Sequence, residues 1–257
     1  MYVLAITNQK GGSGKTTTAV NLAATLAEAG KRVLVIDLDP QASASSWLGS
    51  TSPGRGLFEV FTGEGGLADL IQDSTAPGVQ LVPASPWMVG VDRALAGEVG
   101  AELIFRKSLR ALPQDRWDLV LLDCAPSLGL LAVSALAACQ AVLVPVEARV
   151  MALAGLAALV QTLDRVRERL NPGLEMAGIV PCRVDSRTRL STDVVASLRE
   201  RFGDQVFQTA IRENVRLAEA PSFHKPITLY DPKSVGAADY RALARELLDR
   251  SFPGGRR

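Results

Sequence analysis

Histidine is nearly missing from these 257 residues: His224 stands alone. Cysteine is scarce too, at Cys124, Cys139 and Cys182, with no Cys-x-x-Cys pair. A zinc centre or an iron–sulfur cluster therefore lacks ligands, and an odd, widely spaced set is no disulfide framework. The three thiols read as reduced and mostly buried, as in a cytoplasmic protein. No apolar run approaches the roughly 18 residues of a membrane span. No basic stretch precedes an apolar one at the start, so a signal peptide is not expected. A dominant charge is absent as well, with 28 Lys+Arg against 27 Asp+Glu. Only the distribution is uneven. Residues 1–182 hold 14 basic against 17 acidic side chains, a net of −3, and residues 183–257 hold 14 against 10, a net of +4. That leaves a weak lean toward an anionic partner in the C-terminal part. Internal repeats, low-complexity linkers and charge blocks are also lacking. One domain over 1–250 is expected, followed by a flexible tail at 251–257.

What is present begins at once. Residues 2–7 are apolar and β-branched, the pattern of a buried parallel strand. A glycine-rich turn and a helix-forming stretch at 19–29 follow. Strand, glycine turn and helix make a phosphate site, because several backbone N–H groups can converge on one anion at a helix N-terminus. In the pattern G-x-x-x-x-G-K-[ST], Lys15 reaches β- and γ-phosphates and the Thr16 hydroxyl ligates Mg²⁺. The first glycine of that pattern is replaced by Gln9, and Lys10 opens a loop reading KGGSGKTT.

A second buried strand at 31–37 runs into Asp37 and Asp39, at the strand edge where doubly wound sheets bind ligands. Residues 42–56 are small and polar and read as a surface loop. Short amphipathic pieces at 57–71, a strand at 79–83 and one or two helices within 94–112 come next. The run 117–123, WDLVLLD, ends on Asp123, a Walker B pattern whose carboxylate can hold Mg²⁺ directly or through water. Then follow a helix at 130–138, a strand at 141–146, a helix at 153–170, a strand at 176–181, a helix at 191–202 capped by Ser191 or Thr192, a strand at 206–211 and a closing helix at 234–248. The alternation predicts an α/β fold: a single-domain P-loop NTPase with a mostly parallel twisted sheet and helices on both faces. Tyr240, Leu243, Ala244, Leu247 and Leu248 share one face of the closing helix. Acidic neighbours balance its arginines, which favours packing on the sheet over a membrane surface.

The lysine-led loop resembles the deviant Walker A box of the ParA/MinD ATPases. With 30–41, 118–131, 213–227 and 229–240, it is similar to the ParA/Soj partition ATPases over nearly the whole chain, in the short form without a helix-turn-helix extension. The resemblance implies ATP and Mg²⁺ as ligands. Lys10 acts across an ATP-sandwich homodimer. Gly11, Gly12, Ser13, Gly14, Lys15, Thr16 and Thr17 hold the phosphates, with Gly12 at the dimer seam. Asp39 positions the attacking water, Asp37 and Asp123 support the metal beside Thr16, and Asn214 helps bind adenine. Arg187, Arg189 and Arg216 would meet non-specific double-stranded DNA, and a ParB-like protein would stimulate hydrolysis. The implied role is chromosome or plasmid segregation, in the cytoplasm on the nucleoid and without stable membrane association. The alternatives are a MinD-like membrane-surface positioner, a ParA-like positioner of another cargo, and a metabolic P-loop enzyme. Two stretches depart from the family: Arg212-Glu213-Asn214 stands where Pro-Arg-Asn is usual, and residues 149–155, RVMALAG, lack the usual acids and aromatics.

Overall fold

The computed structural model describes residues 1–50, 54–149 and 152–251. Its frame is one sheet of eight strands: β1 (Tyr2–Ile6), β2 (Val33–Leu38), β3 (Gln72–Asp73), β4 (Val79–Val82), β5 (Leu119–Cys124), β6 (Ala141–Glu147), β7 (Glu175–Val184) and β8 (Ile211–Arg212). They lie in the order β3-β4-β2-β5-β1-β6-β7-β8. All neighbours are parallel except the short β3–β4 pair at one edge.

The period of two along each strand sorts side chains to two cores. Val3, Ala5, Val120 and Leu122 face one, while Leu4, Ile6, Leu119 and Leu121 face the other. Both cores are dry because helices cover both sides. One face carries α1 (Lys15–Glu28), α2 (Ser43–Trp47), α9 (Val215–Glu219), α10 (Ile227–Tyr230) and α11 (Val235–Ser251). The other carries α3 (Leu57–Thr62), α4 (Val91–Ala94), α5 (Ala101–Arg110), α6 (Leu130–Ala138), α7 (Ala152–Arg169) and α8 (Arg189–Phe202). Phe61 stacks on Phe105 at 5.6 Å inside that second core. The three cysteines are free and buried, as expected.

Strands after β1 run to one side of the sheet and those after β5 to the other, so the order turns back around β1. The crevice of such a sheet opens above the carboxyl ends of the strands at that turning point. The lysine-led loop sits there.

Four expectations need correction. Residues 42–56 are not all surface loop: α2 buries Ala44, Ser45 and Trp47, since Ser45 is pulled inward by Asp37. The helix expected from Ser191 starts at Arg189 with Thr188 as its N-cap. Ser191 lies inside it, and its hydroxyl accepts the Asp185 N–H instead. The strand expected at 206–211 shrinks to a single bridge at Val206 and the two-residue β8, because the Gln208 and Thr209 N–H groups between them donate to Glu246 of α11 instead of to β7. The closing helix extends to Ser251, and 252–257 lie outside the described residues.

The apolar face of α11 behaves as packing demands. Tyr240, Leu243, Ala244 and Leu247 are fully buried against α1. Among the described residues no helix is long and apolar enough to cross a membrane.

Candidate nucleotide site

The loop between β1 and α1 is pinned at its start. The Asn8 amide donates to Pro145 O at 2.7 Å, tying the loop to β6, and Asn8 Oδ1 accepts the Lys10 N–H at 3.1 Å. Gly12 and Gly14 then adopt left-handed backbone, at φ 73° and 93°, which glycine enters without steric cost. Gly14 caps α1 with no side-chain partner, so the first helical N–H groups have no capping acceptor. A Cβ on Gly14 would touch Cys182 at 3.7 Å, whereas a Cβ on Gly12 would meet nothing within 4 Å. Gly12 thus faces open space.

Lys15 is the first residue of α1 and only 7% exposed. Its Nζ donates to Lys10 O at 3.3 Å and forms no salt bridge among the described residues. Burial lowers its pKa, with Asp123 and Asp39 pulling the other way. A desolvated ammonium at a helix N-terminus is a receptor for a multivalent anion. The Ser13 hydroxyl is buried with no hydrogen-bond partner among the described residues.

The acids come from parallel strand ends in register. Asp123 of β5 is level with Asp37 of β2 and Ile6 of β1. Asp37 is committed within the fold: its oxygens accept Ser45 N at 2.8 Å, Ser45 Oγ at 2.7 Å and Asp39 N at 3.1 Å. Burial pushes its pKa up to about 6. Asp123 differs. Among the described residues neither of its buried oxygens has a close hydrogen-bond partner, the Thr16 hydroxyl being the neighbouring donor, and burial, reinforced by Asp37, pushes its pKa well above the usual carboxylate range. A buried carboxylate with two orphaned oxygens beside a phosphate loop fits a divalent cation, and the Thr16 hydroxyl lines the same cavity. Asp39 lines the cavity too, with Oδ1 accepting Gln41 N at 3.0 Å.

That cavity is about 600 Å³. Gly11 through Thr17 and Asp39 floor one end, and 211–215, Leu217 and Ala218 wall the other. Asn214 is in that wall. Its Oδ1 also caps α9, accepting Arg216 N at 2.8 Å, so backbone conformation fixes its position. Arg212, one of the departures from the family pattern, stands in the same wall with its guanidinium held by the buried Asp239.

The structure brings together the loop residues, the three acids and Asn214. It leaves Arg187, Arg189 and Arg216 outside, exposed near the ends of α8 and α9. Two of them are occupied: Arg187 forks onto Asp185, and Arg216 pairs with Glu219 at 2.9 Å and Asp231 at 3.6 Å.

Glu147 and Arg183 were not anticipated. Glu147 ends β6 and receives Lys10, Arg149 and Arg183. The rule that found Asp37 and Asp123, an acid closing a buried strand, applied equally to AVLVPVE. Of the departing stretch 149–155, Val150 and Met151 lie outside the described residues.

Comparison with known proteins agrees with this geometry. An AAA-domain family model matches residues 1–176. Over 247 residues, 96% of this chain and 95% of its relative, the sequence is 49% identical to a chromosome-partitioning ATPase Soj of Thermus thermophilus. It is 43% identical over 253 residues, 98% and 89%, to a chromosome partitioning protein ParA of Myxococcus xanthus. The chain belongs to the ParA/Soj family of partition ATPases. Among solved structures, this ParA-family chain superposes with a TM-score of 0.86 and 33% identity on a cobyrinic acid a,c-diamide synthase from Mycobacterium smegmatis with a bound ATP analogue and magnesium, covering 100% and 97% of the two chains. It superposes with a TM-score of 0.79 and 26% identity on the cell division ATPase MinD of Pyrococcus furiosus, covering 96% and 98%. The lysine-led loop and the orphaned Walker B acid of the ParA-family chain thus sit on a fold that related proteins use with nucleotide.

Proposed function

We propose that this chain is an ATP-dependent dimerising switch. It binds ATP with Mg²⁺ in the cavity, hydrolyses it slowly, grips DNA without sequence preference while paired, and serves segregation of a chromosome or plasmid with a ParB-like partner. The observation that carries this reading is a desolvated Lys15 in the lysine-led glycine loop, facing the buried acid Asp123 near the end of β5.

The roles follow from position. The loop N–H groups, Lys15 and the uncapped start of α1 receive the phosphates. Asp123 and Thr16 would hold Mg²⁺, with Asp37 supporting them from within the fold, and the bound ion would supply charge neutralisation at the transferring phosphoryl group. Asp39, at the cavity floor, orients water. Asn214 stands in the wall that takes the base. Phosphoryl transfer needs positioning and charge more than covalent help, so a site short of one cation turns over slowly. Lys10 is half-exposed at the rim, where a second copy can receive it.

DNA contact by Arg187, Arg189 and Arg216 is non-specific and salt-sensitive, and pairing doubles the contacts. Because Arg216 is held by two acids of its own subunit, DNA must compete for it. Sedimentation velocity with Mg²⁺ and a non-hydrolysable ATP analogue is expected to double the mass seen with ADP. DNA affinity is expected to rise with the analogue and fall with salt, and Arg216→Glu to weaken it about tenfold on every sequence. Equal mass and equal DNA affinity in ADP and analogue would end the switch reading. ATP turnover that waits for a small acceptor molecule would favour a metabolic enzyme instead.

A further inference from the structure

The phosphate chemistry leaves Glu147 unexplained. It closes β6 opposite Cys182 of β7, and its side chain is 7% exposed. Oε2 faces Lys10 Nζ at 3.4 Å. Oε1 accepts Arg149 Nε at 2.9 Å and Arg183 Nη1 at 3.0 Å. Arg183 reaches it from left-handed backbone at φ 52°, and its other terminal nitrogen touches Glu213 at 3.4 Å. One nearly buried acid therefore holds three cations, and one of them is the lysine that opens the phosphate loop.

The three contacts are unequal. The guanidinium contacts are shorter and share one oxygen, while the lysine has the longer contact on the other oxygen. Withdrawing the sole partner of a buried acid strands its charge, at a cost of about 3–5 kcal/mol. Here the two arginines remain when Lys10 leaves, so the acid stays compensated. The lysine side chain is 40% exposed and has a clear way out.

We propose that Glu147 is the resting counter-ion of Lys10, a positioning residue that keeps the lysine on its own subunit until a nucleotide-bound partner arrives. Arg149 and Arg183 set how readily it is released. This rests on the reading that Lys10 acts across a nucleotide-bound dimer. In a symmetric pair both lysines must leave their glutamates, so any change in the hold counts twice.

The test is the dimer dissociation constant of the full chain, measured by sedimentation equilibrium with Mg²⁺ and a non-hydrolysable ATP analogue. Losing a half-exposed ion pair is worth about threefold per subunit, so Glu147→Gln is expected to tighten the dimer roughly tenfold. Arg149→Gln leaves the acid more dependent on Lys10 and is expected to loosen the dimer by a similar factor. Combined with Glu147→Gln, the arginine change is expected to do nothing further, because it acts through the acid. A dimer unchanged or weakened by Glu147→Gln overturns the assignment. So does an Arg149→Gln effect of equal size in both backgrounds, which would place Arg149 directly at the seam. If Glu147→Gln compromises folding, the Arg149→Gln sign decides alone, since that side chain is 63% exposed. A wild-type chain that stays single overturns the dimer reading itself, separately from the Glu147 arms.

Discussion

Asp123→Asn is expected to stabilise the nucleotide-free protein while removing Mg²⁺-dependent ATP turnover. The two effects share one cause. Among the described residues neither buried oxygen of Asp123 has a close hydrogen-bond partner, Asp37 lies level with it on the neighbouring strand, and the nearby Thr16 hydroxyl and Lys15 charge do not outweigh burial. An uncompensated buried charge costs stability, about 1–3 kcal/mol when a neutral isostere takes its place. For a chain of this size that is a melting temperature higher by roughly 2–10 °C. The same charge is what a divalent cation needs, so turnover is expected to fall at least about a hundredfold. The pH dependence has a definite sign. Both Asp37 and Asp123 have folded-state pKa values raised above the unfolded value, Asp37 to about 6. Between the unfolded value and the folded one, the folded state binds more protons, so stability falls as pH rises through that window. The gain from Asp123→Asn should therefore be larger at pH 8 than at pH 5. Thermal melts across pH, with turnover in parallel, check it. A lower melting temperature with turnover intact would make Asp123 an ordinary structural acid.

Lys15→Gln has the second large effect, and it separates binding from folding. Lys15 Nζ donates to Lys10 O at 3.3 Å, and burial works against its charge more strongly than Asp123 and Asp39 favour it. Glutamine can keep a polar contact there without the charge. The nucleotide-free melting temperature is expected to stay within about 2 °C. ATP turnover is expected to fall about a hundredfold or more, since charge at the transferring phosphoryl group is lost. On the proposed reading, in which the ammonium meets the γ-phosphate, affinity for ATP should drop more than affinity for ADP. Titration with both nucleotides reads the difference. Equal losses would place Lys15 on the β-phosphate alone.

The fold was legible because its signals are local. Six-residue apolar runs such as VLVIDL and LVLLDC read as strands covered on both faces, and glycine with lysine at that spacing between a strand and a helix reads as an anion cradle. The acids at their ends were legible for the same reason. What escaped was set by distant packing. Residues 43–47 have no apolar period, yet Asp37 draws Ser45 inward and α2 forms around it. The arginines looked like free cations, but loop geometry sets Arg216 between Glu219 and Asp231. The Glu147 cluster joins residues separated by up to 173 positions, and only the β6–β7 register brings Arg183 to the acid.

The sheet ends at each edge on a strand of just two residues, β3 on one side and β8 on the other. Neither presents a ladder long enough to recruit a further strand from another molecule, which is how exposed sheet margins nucleate fibres. Growth along the sheet is thereby disfavoured, which leaves the loops and helices that cover it as the surfaces through which copies of this chain would meet.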